Sequence, residues 1–138
     1  MHNSDCIFCK IANGEIPSNT VYENSDFKVI LDVAPASKGH TLIIPKEHFK
    51  NIFEIDGVTA GKLFSLGTEV ARAIKQELQC DGLNIVQNNG AVAGQTVDHF
   101  HLHLIPRNEG DGVNIGWEPM QADAEENAEL AKQLHKRI

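Results

Sequence analysis

Three histidines separated by single residues, His99, His101 and His103, are the residues of this chain best spaced for chemistry. Imidazole has an ordinary pKa of about 6.5, so near neutral pH it serves as base, acid or nucleophile. Between and beyond them stand Phe100, Leu102 and Leu104, all large and apolar. This alternation has the period of a strand, in which side chains two apart share a face and lie roughly 6.5 Å apart along it. The spacing predicts a strand over 99–105 with one chemical face and one structural face. A lone strand histidine is ordinarily packing, whereas three in register behind the loop Gly94-Gln95-Thr96-Val97-Asp98 point to a titratable site.

A second candidate is Cys6-Ile7-Phe8-Cys9. The chain has three cysteines and no basic-then-apolar leader, which suits a reducing compartment, so the pair reads as a metal or redox site rather than a structural disulfide. Its spacing is that of a zinc knuckle, and a tetrahedral Cys₂His₂ site needs two histidines from elsewhere. Of seven histidines, His2 and His135 sit near the ends and His101 and His103 are wanted for chemistry, leaving His40, His48 and His99. A redox Cys-x-x-Cys expects a preceding strand, for which the five residues before Cys6 give no room. Cys80 reads as an ordinary packed or helix-end cysteine.

The elements that must position these residues follow from periodicity. Thr20 to Glu23 and Phe27 to Asp32 read as strands joined by the turn Asn24-Ser25-Asp26. His40 to Pro45 is nearly continuous in apolar residues, which predicts a central strand. Val58 to Gln79 carries Leu63, Leu66, Val70, Ile74 and Leu78 at helical spacing. Gly61 and Gly67 lower helix propensity by about 1 kcal/mol each, so packing on the sheet must hold that helix. Leu83 to Asn88 is a fourth strand, and Ala122 to Lys136 a terminal helix, acidic early and basic late, with Leu130, Leu134 and Ile138 as its packing stripe. The sum is an α+β fold with about five mainly antiparallel strands, one long helix and a C-terminal helix.

With 138 residues the chain is expected to form one domain, 1–138. A net charge of −7 argues against partners that need clustered Lys and Arg, namely nucleic acid or a membrane surface. Any phosphate must be gripped locally. With no stretch of 18 apolar residues, the expected location is cytoplasmic.

The run Gly-Gln-Thr-Val-Asp-His-Phe-His-Leu-His-Leu-Ile-Pro-Arg over 94–107 resembles the motif of the histidine triad (HIT) family of nucleotide hydrolases and transferases. The likeness extends over nearly the whole chain, through Cys-Ile-Phe-Cys-Lys-Ile at 6–11, Gly-Glu-Ile-Pro-Ser at 14–18, Leu31-Asp32, Gly-His-Thr-Leu-Ile-Ile-Pro-Lys-Glu-His at 39–48 and Gly-Leu-Asn-Ile-Val-Gln-Asn-Asn-Gly at 82–90. The resemblance implies a homodimer that binds purine nucleotides or their conjugates and cleaves them at the α-phosphorus. By that resemblance His101 is the nucleophile, forming a nucleotidyl-histidine; His103 lies on the α-phosphate; and His99 orients the site from behind. Asp32 matches the acid on the ribose hydroxyls, and Ile7, Phe8, Ile11, Ile30, Leu31 and Leu42 match the base slot. Asn88, Gly94, Gln95 and Thr96 match the phosphate groups' partners. Some relatives that keep the Cys pair bind zinc at positions matching Cys6, Cys9, His48 and His99, which by the resemblance would make zinc structural here.

The same motifs imply phosphoramidates, acyl-adenylates or dinucleoside polyphosphates as substrates. Two other functions share them: a nucleotide-binding or protein-interaction module, and a nucleotidyl transferase. The transferase branch carries His-Pro-His, from which Phe100 departs. Asp98 stands where the family often has an apolar or aromatic residue; on an alternating strand it should point away from the histidines.

Overall fold

The computed structural model describes residues 3–138; His2, set aside above as a terminal histidine, lies outside the described residues. Five strands, β1 (Thr20–Glu23), β2 (Phe27–Leu31), β3 (Thr41–Pro45), β4 (Gly82–Val86) and β5 (Leu102–Arg107), form one sheet. Their order is β1-β2-β3-β5-β4 with every neighbour antiparallel. Asn24 closes the β1–β2 turn by accepting the N–H groups of Asp26 and Phe27 on its side-chain oxygen. β3 is central and buried throughout, as its apolar run requires.

Two helices cover opposite faces. α1 (Ile7–Ala12) lays Ile11 and Ala12 on Ile30, Leu42 and Ile44. α2 (Gly57–Leu78) lays Leu63, Val70 and Ile74 on Phe27, Val29, Ile43, Leu102 and Leu104. Each such buried side chain contributes about 1.5–3 kcal/mol, which outweighs the propensity cost of the two glycines in α2. Gly67 is buried at the centre of that contact, facing Leu102 and Ile43. Alternation along β5 sends Leu102 and Leu104 to the α2 face and leaves His103, paired with Leu42 and Val86, on the α1 face.

Two expectations need correction. The last strand starts at Leu102, not His99. The His99 N–H turns back to the Val97 carbonyl at 2.8 Å and the Phe100 N–H goes to the Phe49 carbonyl at 2.6 Å, so residues 99–101 lie outside the β5 ladder. The second concerns α3 (Ala124–His135), which forms with Asp123 as its N-cap. Leu130, Leu134 and Ile138 are exposed and no residue of α3 is buried, so among the described residues the stripe joins neither core cluster.

Candidate active site and metal centre

Cys6 caps the N-terminus of α1 and Cys9 lies in its first turn, its N–H donating to Cys6 Sγ at 3.3 Å. The loop after β3 brings His48, and the segment before β5 brings His99. Their four ligand atoms lie within 4.8 Å of one another. Cys6 Sγ stands 3.3 Å from His99 Nδ1, Cys9 Sγ 3.3 Å from His48 Nδ1, and the two Nδ1 atoms 3.1 Å apart. A tetrahedron with metal–sulfur bonds of about 2.3 Å and metal–nitrogen bonds of about 2.0 Å has edges of this length. The tautomer fits as well. His99 Nε2–H donates to the Pro45 carbonyl at 2.8 Å, so its Nδ1 carries a lone pair turned toward His48. Burial pushes the Cys9 thiol up, with the Asn3 N–H working against it, and drives His99 down to about 4. Two sulfurs and two imidazole lone pairs sharing so small a volume are the donor set that a divalent soft cation satisfies.

On the other side of His99 lies a cavity of about 430 Å³ walled by Phe8, Ile11, Ile30, Leu31, Asp32, His40, Leu42, Thr96, His101 and His103, among others. Hydrogen-bond logic fixes the protons on its histidines. His101 Nδ1–H donates to the His99 carbonyl at 2.7 Å, which leaves Nε2 as a lone pair. The Ala36 N–H donates to His40 Nδ1 at 2.9 Å, so the His40 proton is on Nε2. That proton goes to His103 Nδ1 at 2.9 Å, and His103 therefore carries its own on Nε2. Asp32 stands 3.5 Å from His40 Nε2. Asp32, His40 and His103 also converge closely enough to suggest a second metal group. The Ala36 donor rules against it, because His40 Nε2 is occupied by a proton. Burial lowers the pKa of His40 and His101, opposed in both by Asp32, and takes His103 to about 4. The cavity thus presents a neutral imidazole lone pair, on His101, beside a neutral N–H donor, His103, with ring centroids 4.8 Å apart.

A family model described as HIT domain matches residues 13–110. The chain belongs to the HIT family. The crystal structure of a HIT family protein from Bacillus anthracis superposes with a TM-score of 0.92 at 42% identity, covering 98% of both chains. Adenosine 5'-monophosphoramidase hnt1 of Schizosaccharomyces pombe is 40% identical over 134 residues, which are 96% of this chain and 98% of that one. A Zn-bound histidine triad family protein from Mycobacterium smegmatis superposes with a TM-score of 0.76 at 38% identity, covering 96% of this chain and 97% of that one.

In this HIT chain the structure gathers Ile7, Phe8, Ile11, Ile30, Leu31, Asp32, Leu42, Thr96, His101 and His103 around one cavity. Asn88, Gly94 and Gln95 are not in its wall. Asn88 Nδ2 reaches the Gly94 carbonyl at 3.4 Å, and Gly94 has φ +96, a left-handed conformation that suits glycine. Gln95 is buried and wholly engaged: its amide donates to the Lys50 and Val97 carbonyls and its oxygen accepts the Gly90 N–H. It braces the loop. Asp98 is exposed. The residue that sequence reasoning left without a role in the cavity is His40. Its only signal was its position at the head of an apolar strand, since its partner His103 is 63 residues away.

Replacing His40 by phenylalanine removes the donor that sets the His103 tautomer. The expected result is a fall in kcat of about 10- to 100-fold with the fold intact, measured by turnover alongside thermal melting.

Proposed function

We propose that this chain is a nucleotide hydrolase that cleaves purine nucleoside phosphoramidates at the α-phosphorus through a nucleotidyl-His101 intermediate. The observation that carries the reading is the fixed pair of tautomers, a lone pair on His101 Nε2 next to a proton on His103 Nε2. The relative named adenosine 5'-monophosphoramidase, similar over nearly its full length, supports this substrate class. Acyl-adenylates and dinucleoside polyphosphates present the same α-phosphorus and remain within the proposal.

In the proposed reaction the base enters between Phe8, Ile11, Ile30 and Leu42, and Asp32 receives the ribose hydroxyls. His101 Nε2 attacks phosphorus while the bond to the leaving amine breaks. From an N-protonated phosphoramidate the amine departs neutral. The attacking imidazole becomes cationic, and its Nδ1–H donates more strongly to the His99 carbonyl. His103 Nε2–H holds a phosphoryl oxygen as charge shifts. Water then displaces the imidazole, giving the nucleoside monophosphate and a proton.

Cys6, Cys9, His48 and His99 would hold a structural zinc ion, which supplies a rigid cross-link between α1 and the backbone that aims His101. The Zn-bound relative from Mycobacterium smegmatis supports this assignment. A turnover panel of adenosine phosphoramidate, acyl-adenylate and diadenosine polyphosphates tests the substrate class. Equal slow hydrolysis of all three, unchanged in His101→Gln, would sink it.

Because burial lowers His101 and takes His103 down to about 4, kcat/KM should hold level as pH falls from 7.5 through 6.5 and drop only below that range. An acid limb centred at or above 6.5 would contradict this.

We also propose a homodimer. β4 is an open sheet edge, its Ile85 is exposed, and Phe64 of α2 and the stripe of α3 are exposed apolar surface. Light scattering should give twice the 15.2 kDa of one chain, and Ile85→Asp should shift the population toward monomer.

A further inference from the structure

A cavity of about 310 Å³ opens onto Cys6, bounded by Asn3, Asp5, Thr96, Val97 and Asp98. Cys9 lies behind it, fully buried, with its sulfur within 4.8 Å of that of Cys6. The two stand at the cap and in the first turn of one helix, where residues three apart are neighbours. A disulfide needs about 2.05 Å between sulfurs, so closure requires the two side chains to rotate toward each other. The third thiol, Cys80, is buried in the α2 core, away from this cavity.

We propose that Cys6 and Cys9 form a modification site for hydroperoxides, whose closure to a disulfide expels the metal and disarms His101. The proposal rests on the zinc reading above. Cys6 Sγ attacks one oxygen of hydrogen peroxide, the O–O bond breaks, and hydroxide leaves, giving a sulfenic acid. Cys9 Sγ then displaces hydroxide from that sulfur and the S–S bond forms. Two thiolates are oxidised by two electrons, peroxide is reduced, and two solvent protons carry both hydroxides away as water.

The consequence reaches the cavity through one residue. His99 offers its ring to the metal group and its carbonyl to His101. When both sulfurs are withdrawn, the His99 ring retains the Pro45 carbonyl but loses its two sulfur neighbours. Residues 99–101 lie outside the β5 ladder, so the His99 carbonyl is positioned by the metal group, by the ring's bond to Pro45 and by the N–H bonds to Val97 and Phe49, and disulfide closure removes the first of these.

The test treats the zinc-loaded full chain with hydrogen peroxide, follows free zinc with a chromophoric chelator, maps thiols by peptide mass spectrometry, and measures turnover. Expected is release of the bound zinc in step with formation of a Cys6–Cys9 disulfide. Turnover should fall about 10- to 100-fold and recover after a dithiol reductant and zinc. Cys6→His, which keeps four donors but has no second thiol, should retain its metal under peroxide. Zinc retained after Cys6 is oxidised, oxidation confined to Cys80, or turnover lost with no disulfide would each overturn the switch. A chain purified without zinc would overturn the metal reading itself and the switch with it.

Discussion

His101→Gln should lower kcat for an adenosine phosphoramidate by at least about 10³-fold, because in the proposed mechanism it removes the atom that bonds to phosphorus rather than a group that assists it. Glutamine fills much of the same volume, so the Phe8 ring, which stands edge-on to His101 with centroids 4.8 Å apart, keeps a neighbour. The monophosphate should bind within a few-fold of the wild type, since Asp32 and the apolar walls are untouched. Rapid acid quench of the wild type should trap a nucleotide on the peptide containing His101. The variant should trap none. Residual turnover above about one tenth, or a nucleotide found on His103 instead, would refute the assignment. A loss shared equally between kcat and melting temperature would point to packing, which is why both are measured together.

Removing zinc should have the second large effect. A ligand present at about 10³ times its dissociation constant stabilises the folded state by about 4 kcal/mol. For a chain of this length that corresponds to a melting temperature about 12 °C higher than that of the stripped protein. Cys6→Ala should copy the stripped state, with bound zinc falling from near one per chain to near zero. The drop should be reversible for the wild type when zinc is returned and irreversible for the variant. A melting curve indifferent to a strong chelator, with metal content unchanged by Cys6→Ala, would exclude a zinc clamp.

The parts of this molecule that sequence made legible are those governed by local periodicity. The apolar run of β3, the helical stripe of α2 and the turn residues Asn24 to Asp26 each dictate a local conformation, and each occurs within a residue or two of its predicted bounds. The alternation of β5 was legible for Leu102 to Leu104 but not for His99. Nothing in residues 99–105 records that Cys6, Cys9 and His48 compete for its ring. His40 was hidden for the same reason, since its role exists only because β3 and β5 are neighbours. Gln95 was matched to the phosphate by its motif, and in the fold its buried amide donates to the Lys50 and Val97 carbonyls. For α3 the amphipathic pattern was plain, but no residue of the helix is buried.

The late start of β5 has a bearing on bond formation. His103 is paired on both sides in the sheet, whereas His101 is one residue short of it. A nucleophile must travel: the reacting atoms begin about 3–3.5 Å apart and close to a covalent bond, then retreat when water takes the phosphorus. A residue locked in the ladder would drag sheet hydrogen bonds along on each cycle. Under the proposed mechanism His101, placed before the ladder, would advance and recoil while its neighbour two residues on stays fixed as the reference point for the phosphate.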